Sequence, residues 1–273
     1  MPDMLVMSAT PIPRTLSLVF YGDLDVTTIA DKPRDRQPVT TSVVPARKYD
    51  DMLAYVRQET KKGRQAYFVC AKIDDDEGEV TSVTELWEEL KNRLPDVRFG
   101  LLHGRMREKE KTAVMTAFKN HEYDCLVSTT VIEVGVDVPD ATIMVIMNAE
   151  RFGLSQLHQL RGRVGRGSEK SWCFLMIGSD TDTARERLNV FKNTSDGFAL
   201  AEKDLELRGS GDFLGTRQSG KFLTDVKNLR YSTQVIFTAK KLTDEAFERR
   251  LHFDAIQKAA MEKYESLKDV VLN

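Results

Sequence analysis

The sequence predicts an α/β protein with a doubly wound, mostly parallel sheet over residues 40–180, followed by a helical C-terminal region. Short apolar runs alternate with amphipathic helical patterns up to residue 180, which is typical of a sheet with helices on both faces. Most of the runs are rich in β-branched and aromatic residues and lack regular polar alternation, which favours strands buried on both faces.

Six strands are predicted, at 40–45, 65–71, 98–103, 123–129, 142–148 and 171–177. Apolar residues recur at helical spacing over 80–94 and 107–120, which predicts helices between strands. Residues 181–209 are predicted as a helical pair broken near 193–197, and residues 224–268 as further helix.

Composition limits the classes of function. Charged residues make up 30% of the chain, yet the formal net charge is only -2, so any contact with nucleic acid must come from local basic patches. The sequence contains no apolar run long enough to cross a membrane and no signal peptide, which favours a cytoplasmic protein. Cys70, Cys125 and Cys173 lie in apolar runs without metal-ligand spacing, so we expect buried free thiols and no metal site.

The segment 159–166, Gln-Leu-Arg-Gly-Arg-Val-Gly-Arg, carries the strongest chemical signal. It holds two glycines and three arginines within eight residues, directly after a short helical pattern. Glycines allow the backbone to turn tightly, and arginines present planar donor groups that suit phosphate oxygens. The alternative interpretation is a solvated basic turn without a ligand.

This segment resembles the Q-x-x-G-R-x-G-R signature of superfamily 2 helicases, whose motor lobes have the RecA-like fold. The resemblance implies that Arg163 and Arg166 reach the γ-phosphate of ATP, with Arg166 as the arginine finger. It also implies that Gln159 contacts the ATP site. A fixed guanidinium would stabilise the charge that spreads over the transferring phosphoryl group.

Two further segments resemble helicase motifs in the expected order. Ser8 and Thr10 belong to a Ser-Ala-Thr string that resembles the motif coupling the two motor lobes. The segment 102–106 closes a predicted strand and resembles a loop that binds the DNA backbone. This second resemblance implies that His103 and Arg105 contact phosphate.

The segment 129–137 follows another predicted strand and resembles the next motif in the series. The resemblance implies that the hydroxyl of Thr129 holds a DNA phosphate, and that Gly135 and Asp137 lie near the nucleotide. A histidine beside a glycine has little meaning by itself, whereas four motifs in order are specific.

A motor of this class also needs a phosphate-binding loop and an Asp-Glu pair for magnesium. The segment 215–222 nearly spells the loop, but Phe222 replaces the hydroxyl residue and no strand precedes it. We therefore expect residues 1–25 to be the remnant of a first lobe, 26–180 the second lobe and 181–273 a helical translocation region. We also expect the isolated chain to be inactive, with ATP and Mg²⁺ as cofactors of the full-length protein only.

Residues 204–220 resemble the translocation motif shared by the RecG family and the bacterial transcription-repair coupling factor. Arg208, Gly209 and Gln218 match both families, and their resemblance implies a role in coupling ATP hydrolysis to movement on DNA. Phe213 and Thr216 look more like RecG. The resemblance implies a bacterial, nucleoid-associated translocase that remodels stalled replication forks and Holliday junctions.

The expected partners are branched duplex DNA and the missing first motor lobe and wedge domain of the same protein, without a membrane. The coupling factor, whose partner is RNA polymerase, remains an alternative within the class. An alternative of another class is a nucleic-acid-binding module without catalysis. A small-molecule α/β enzyme is disfavoured, because the sequence contains neither a nucleophile-base set nor the Rossmann glycine pattern.

Overall fold

The computed structural model describes residues 37–71, 76–130, 137–179, 181–208 and 233–249, together with a few isolated positions. The chain divides into two compact units, the first containing the described residues of 37–200 and the second those from 201 onward. Within the described residues, no helix is long and apolar enough to cross a membrane.

The first unit is built around one parallel sheet. Its strands are β1 (Val39–Val44), β2 (Gln65–Val69), β3 (Phe99–Leu102), β4 (Cys125–Ser128), β5 (Ala141–Ile146) and β6 (Ser171–Met176). They lie in the order β1-β6-β5-β2-β4-β3, and each neighbouring pair is parallel. Parallel neighbours need crossover connections, which the intervening helices supply.

The helices follow the strands in alternation. They are α1 (Tyr49–Thr60), α2 (Asp76–Arg93), α3 (Glu108–Lys119), α4 (Leu154–Arg161), α5 (Asp182–Asn193), α6 (Gly197–Arg208) and α7 (Thr233–Glu248). The side chain of Thr181 accepts a hydrogen bond of 3.2 Å from the backbone N–H of Ala184 and so caps the start of α5. The carboxylate of Asp196 accepts from the N–H of Phe198 and marks the start of α6.

Both faces of the sheet are covered by helices. Along β2, Ala66 and Phe68 join the cluster that contains α1 and α2, whereas Tyr67 and Val69 join the cluster that contains α3, α4 and α5. This alternation arises because successive strand residues point to opposite faces. Phe68 and Tyr67 are at most 1% exposed, and burial of a side chain of this size stabilises the fold by roughly 1.5–3 kcal/mol.

These observations confirm the predicted fold class, a RecA-like doubly wound sheet. All six predicted strands form, with ends displaced by one or two residues. The break predicted near 193–197 separates α5 from α6, and the three cysteines are buried and free. Of the helix predicted over 224–268, the described part includes α7. The predicted domain limits at 25 and 180 stay predictions.

Candidate functional site

The residues between α4 and β6, 162–170, form a tight loop that we call the arginine turn. Gly165 has a φ of +72°, in the left-handed region, and an added Cβ would lie 2.8 Å from Cγ2 of Val39. Only glycine fits such a position without strain or displacement. Since Val39 and Ser171 begin β1 and β6, the turn lies at the amino ends of these strands.

Arg166 is held by two contacts at this edge. Its Nε donates to the carbonyl oxygen of Gly162 at 3.2 Å, and its Nη1 lies 3.2 Å from Oδ1 of Asp137. The Arg166 and Asp137 side chains are 32% and 59% exposed, so solvent screens their attraction. The structure thus brings together two of the residues for which the sequence predicts a place at the nucleotide.

Arg163 belongs to the same group. The pKa of Tyr67, near the amino end of β2, is raised by burial, while the positive charges of Arg163 and Arg166 oppose this shift and Asp137 adds to it. Three charged side chains therefore act on one buried phenol, which places them around the amino ends of the central strands. Gln159 lies on α4 and is half-buried.

The third arginine of the motif has a different position. Arg161 is 7% exposed, and its guanidinium donates to the carbonyl oxygens of Phe191 at 3.2 Å and Thr194 at 2.9 Å. It also lies 4.2 Å from the centre of the Phe191 ring, and burial lowers its pKa. Arg161 therefore fastens α4 to the end of α5, a role that the sequence reasoning missed. Its helical spacing from Leu154 and Leu157, which places it on the apolar stripe of α4, could have revealed it.

A second group of polar side chains lies at the opposite edge of the sheet. His103 follows β3 and Thr129 follows β4, and the N–H of Thr129 donates to the carbonyl oxygen of Leu102 at 3.3 Å. The Oγ1 of Thr129 and the Nδ1 of His103 are buried, and neither has a hydrogen-bond partner within the described residues. Buried polar groups normally have a partner, so both atoms are available to a polar ligand that approaches this edge. Arg105 is exposed beside them.

The two groups are separated by the length of the strands. Five or six residues of β-strand span roughly 17–20 Å, so one small ligand cannot contact Arg166 and Thr129 together. The arrangement gives the sheet two chemically distinct edges: arginines and a carboxylate at the amino ends, and a histidine, an arginine and a hydroxyl at the carboxyl ends.

Several predicted site residues lie outside the described residues. These are Ser8, Thr10, Gly135, Gly209 and Gln218. Arg208 is the last residue of α6, and its side chain is also outside the described part of the chain.

Comparison with known families identifies the chain. Residues 47–168 match the helicase conserved C-terminal domain, and residues 194–272 match domain 3, C-terminal, of the ATP-dependent DNA helicase RecG. The chain belongs to the RecG family. The first match covers most of the sheet and the arginine turn, and the second begins in the loop between α5 and α6.

Individual RecG relatives agree with this assignment. The ATP-dependent DNA helicase RecG of Synechocystis sp. is 52% identical over 221 residues, which are 80% of this chain and 27% of the relative. The RecG of Escherichia coli O127:H6 is 49% identical over 251 residues, which are 91% of this chain and 36% of the relative. The chain thus spans about a third of the length of these relatives.

A solved structure of RecG bound to a three-way DNA junction matches with a TM-score of 0.68 and 50% identity. The match covers 78% of this chain and 28% of the RecG chain. The comparisons confirm both the predicted family and the predicted second-lobe fold.

The family implies ATP and Mg²⁺, and the two fit this part of the chain differently. Two arginines at a glycine turn, one of them held by a single exposed carboxylate, suit the oxygens of a nucleotide phosphate. A metal ion needs a group of oxygen, nitrogen or sulfur ligands. Within the described residues, no three His, Cys, Asp or Glu side chains are grouped to provide one.

Proposed function

We propose that the chain is the C-terminal motor segment of a RecG-type, ATP-dependent DNA helicase that remodels stalled replication forks and Holliday junctions in repair and recombination. The observation that carries this proposal is the arginine turn, which holds Arg163 and Arg166 at the amino ends of the central strands. The RecG-specific match over residues 194–272 favours this function over that of the coupling factor.

In the proposed reaction the amino edge acts on the nucleotide. The Arg166 guanidinium exchanges the Asp137 carboxylate for the γ-phosphate, an exchange that costs little because their contact is exposed. Arg166 then stabilises the charge that develops on the transferring phosphoryl group, and Arg163 binds beside it. Gln159 and Gly135 contact the nucleotide, while the Mg²⁺ ligands come from the first motor lobe of the same protein.

The carboxyl edge acts on DNA. His103, Arg105 and Thr129 contact backbone phosphates, which position a duplex without reading its sequence. A formal net charge of -2 means that such local contacts, rather than a general positive field, hold the nucleic acid. The junction bound by the 50% identical RecG structure supports branched duplex DNA as the partner.

Movement is transmitted from the arginine turn to the helical region. Arg161 ends α4, directly before the turn, and its hydrogen bonds reach the loop that leads into α6. Arg208, Gly209 and Gln218 follow in the chain and convert this displacement into pulling on DNA. Ser8 and Thr10 couple the first lobe to the same cycle.

The test compares ATP turnover and unwinding by the full-length protein on a three-way junction and on linear duplex. We expect ATP turnover that the junction stimulates, together with unwinding. In Arg208→Ala and Gln218→Ala, much of the turnover should remain while unwinding falls sharply, because hydrolysis is then uncoupled from movement. Absence of ATP turnover on any DNA would leave a binding module without catalysis. Parallel loss of both activities at an unchanged melting temperature would place these two residues in the nucleotide site.

A further inference from the structure

A three-membered ion cluster ties the arginine turn to the centre of the sheet. Arg64 lies in the loop between α1 and β2, with Nη1 bonded to Oε2 of Glu59 and Nη2 bonded to Oε2 of Glu169. The Glu59 side chain is 5% exposed, and its other oxygen lies 2.7 Å from Nζ of Lys62. Burial raises the pKa of Glu59, but its hydrogen bonds with Lys62 and Arg64 lower it further, so this carboxylate is ionised.

The cluster reaches the arginine turn through Glu169. This residue lies three positions after Arg166, and its carbonyl oxygen accepts a bond of 3.3 Å from the hydroxyl of Ser171, the first residue of β6. Arg64 immediately precedes β2, and β5 lies between β2 and β6 in the sheet. The contact therefore spans two strand spacings, roughly 10 Å, and fixes the end of the turn against a strand that β6 does not touch.

We propose that Arg64 is a positioning residue for the ATP site: through Glu169 it holds the arginine turn so that Arg163 and Arg166 meet the phosphate. The inference rests on the proposed role of those two arginines. The contact between Arg64 and Glu169 uses neither of them, so it remains when Arg166 leaves its carboxylate partner for the nucleotide. A guanidinium suits this task because its planar donor groups can serve two carboxylates at once.

The neighbouring lysine provides a matched control. Lys62 and Arg64 both donate to Glu59, but within the printed contacts of the cluster only Arg64 also reaches Glu169. Replacing either cation leaves Glu59 with the other, so both variants keep the buried carboxylate paired. A purely structural role would therefore affect Lys62→Ala and Arg64→Ala alike, whereas a positioning role affects only Arg64→Ala.

The experiment measures ATP turnover by the full-length protein at saturating junction DNA for Arg64→Ala, Glu169→Ala, their double variant, Arg64→Lys and Lys62→Ala. Displacement of a reacting group by about 1 Å can cost about 10²-fold in rate, so partial release of the turn should lower kcat about tenfold. We expect the KM for ATP and the affinity for DNA to change less than about twofold, because the phosphate contacts act chiefly in the transition state. The double variant should lose no more than either single variant, since one contact is broken in all three.

Three results would overturn the proposal: an unchanged kcat in Glu169→Ala, an equal loss in Lys62→Ala, or losses that multiply in the double variant. The Glu169 side chain is 56% exposed, so Glu169→Ala carries the test even if Arg64→Ala does not fold. Arg64→Lys should recover only part of the rate, because an ammonium group lacks the two-sided geometry. Normal turnover in a parallel Arg166→Ala variant would instead contradict the function proposed for the arginine turn itself.

Discussion

Replacement of Gly165 by alanine measures how closely the arginine turn approaches the start of β1. The left-handed backbone at φ +72° costs alanine roughly 1–2 kcal/mol. The new Cβ would also lie 2.8 Å from Cγ2 of Val39 and 3.4 Å from the carbonyl oxygen of Gln37. Overpacking of this kind adds roughly 1–3 kcal/mol, so we expect a total loss of about 2–5 kcal/mol in the free energy of unfolding.

Gly63 separates the two contributions. It has a φ of +83°, but an added Cβ would meet nothing within 4 Å, so Gly63→Ala should cost only the roughly 1–2 kcal/mol of the backbone. Urea unfolding of the chain can be followed by the fluorescence of Trp87 and Trp172, the two tryptophans, which both lie in the first unit. In a Val39→Ala background the penalty at Gly165 should fall to that at Gly63. Equal penalties for the two glycine variants in the natural background would refute the close approach.

Three further outcomes follow from buried groups. Arg161→Ala should lower the free energy of unfolding by roughly 2–4 kcal/mol, since two backbone carbonyls lose a charged donor; a loss below about 1 kcal/mol in urea unfolding would contradict the anchoring role. Because the net shift lowers the pKa of Glu59, its ionised form stabilises the fold fully above the ordinary value of 4.5 and loses this effect as the pH falls through the folded value. The stability gap between the natural protein and Glu59→Gln should therefore narrow on acidification, and a gap that widens would be inconsistent with the cluster. Burial raises the pKa of Cys70 and of Cys173 to about 12, so a thiol-reactive disulfide reagent at pH 8 should label them only after unfolding, and rapid labelling of the native protein would show that they are accessible.

The sheet could be predicted because its strands are short apolar runs whose two buried faces leave a clear mark in the sequence. Helix α1 was not predicted as a separate element, although Met52, Leu53 and Val56 recur at helical spacing and are buried. The two edges were also partly legible: His103 and Thr129 follow predicted strands, whereas the arginine motif precedes one.

The contacts that hold the arginine turn could not be predicted. Arg64 and Glu169 are 105 positions apart in sequence, and no local spacing connects them. The sequence marks Gly165 as flexible, but only the fold reveals that the start of β1 excludes any side chain there. The motif likewise makes its arginines look equivalent, while the packing of α4 against α5 buries Arg161 and leaves Arg166 exposed.

The central claim is that the two edges of one sheet have separate tasks, and a crossed comparison of Arg166→Ala and Arg105→Ala in the full-length protein tests it most directly. Arg166→Ala should lower ATP turnover by roughly 10³-fold or more without changing the affinity for junction DNA. Arg105→Ala should weaken DNA binding and reduce the salt dependence by about one phosphate contact, while turnover at saturating DNA remains. Weakened DNA binding by Arg166→Ala with ATP turnover intact would contradict the claim.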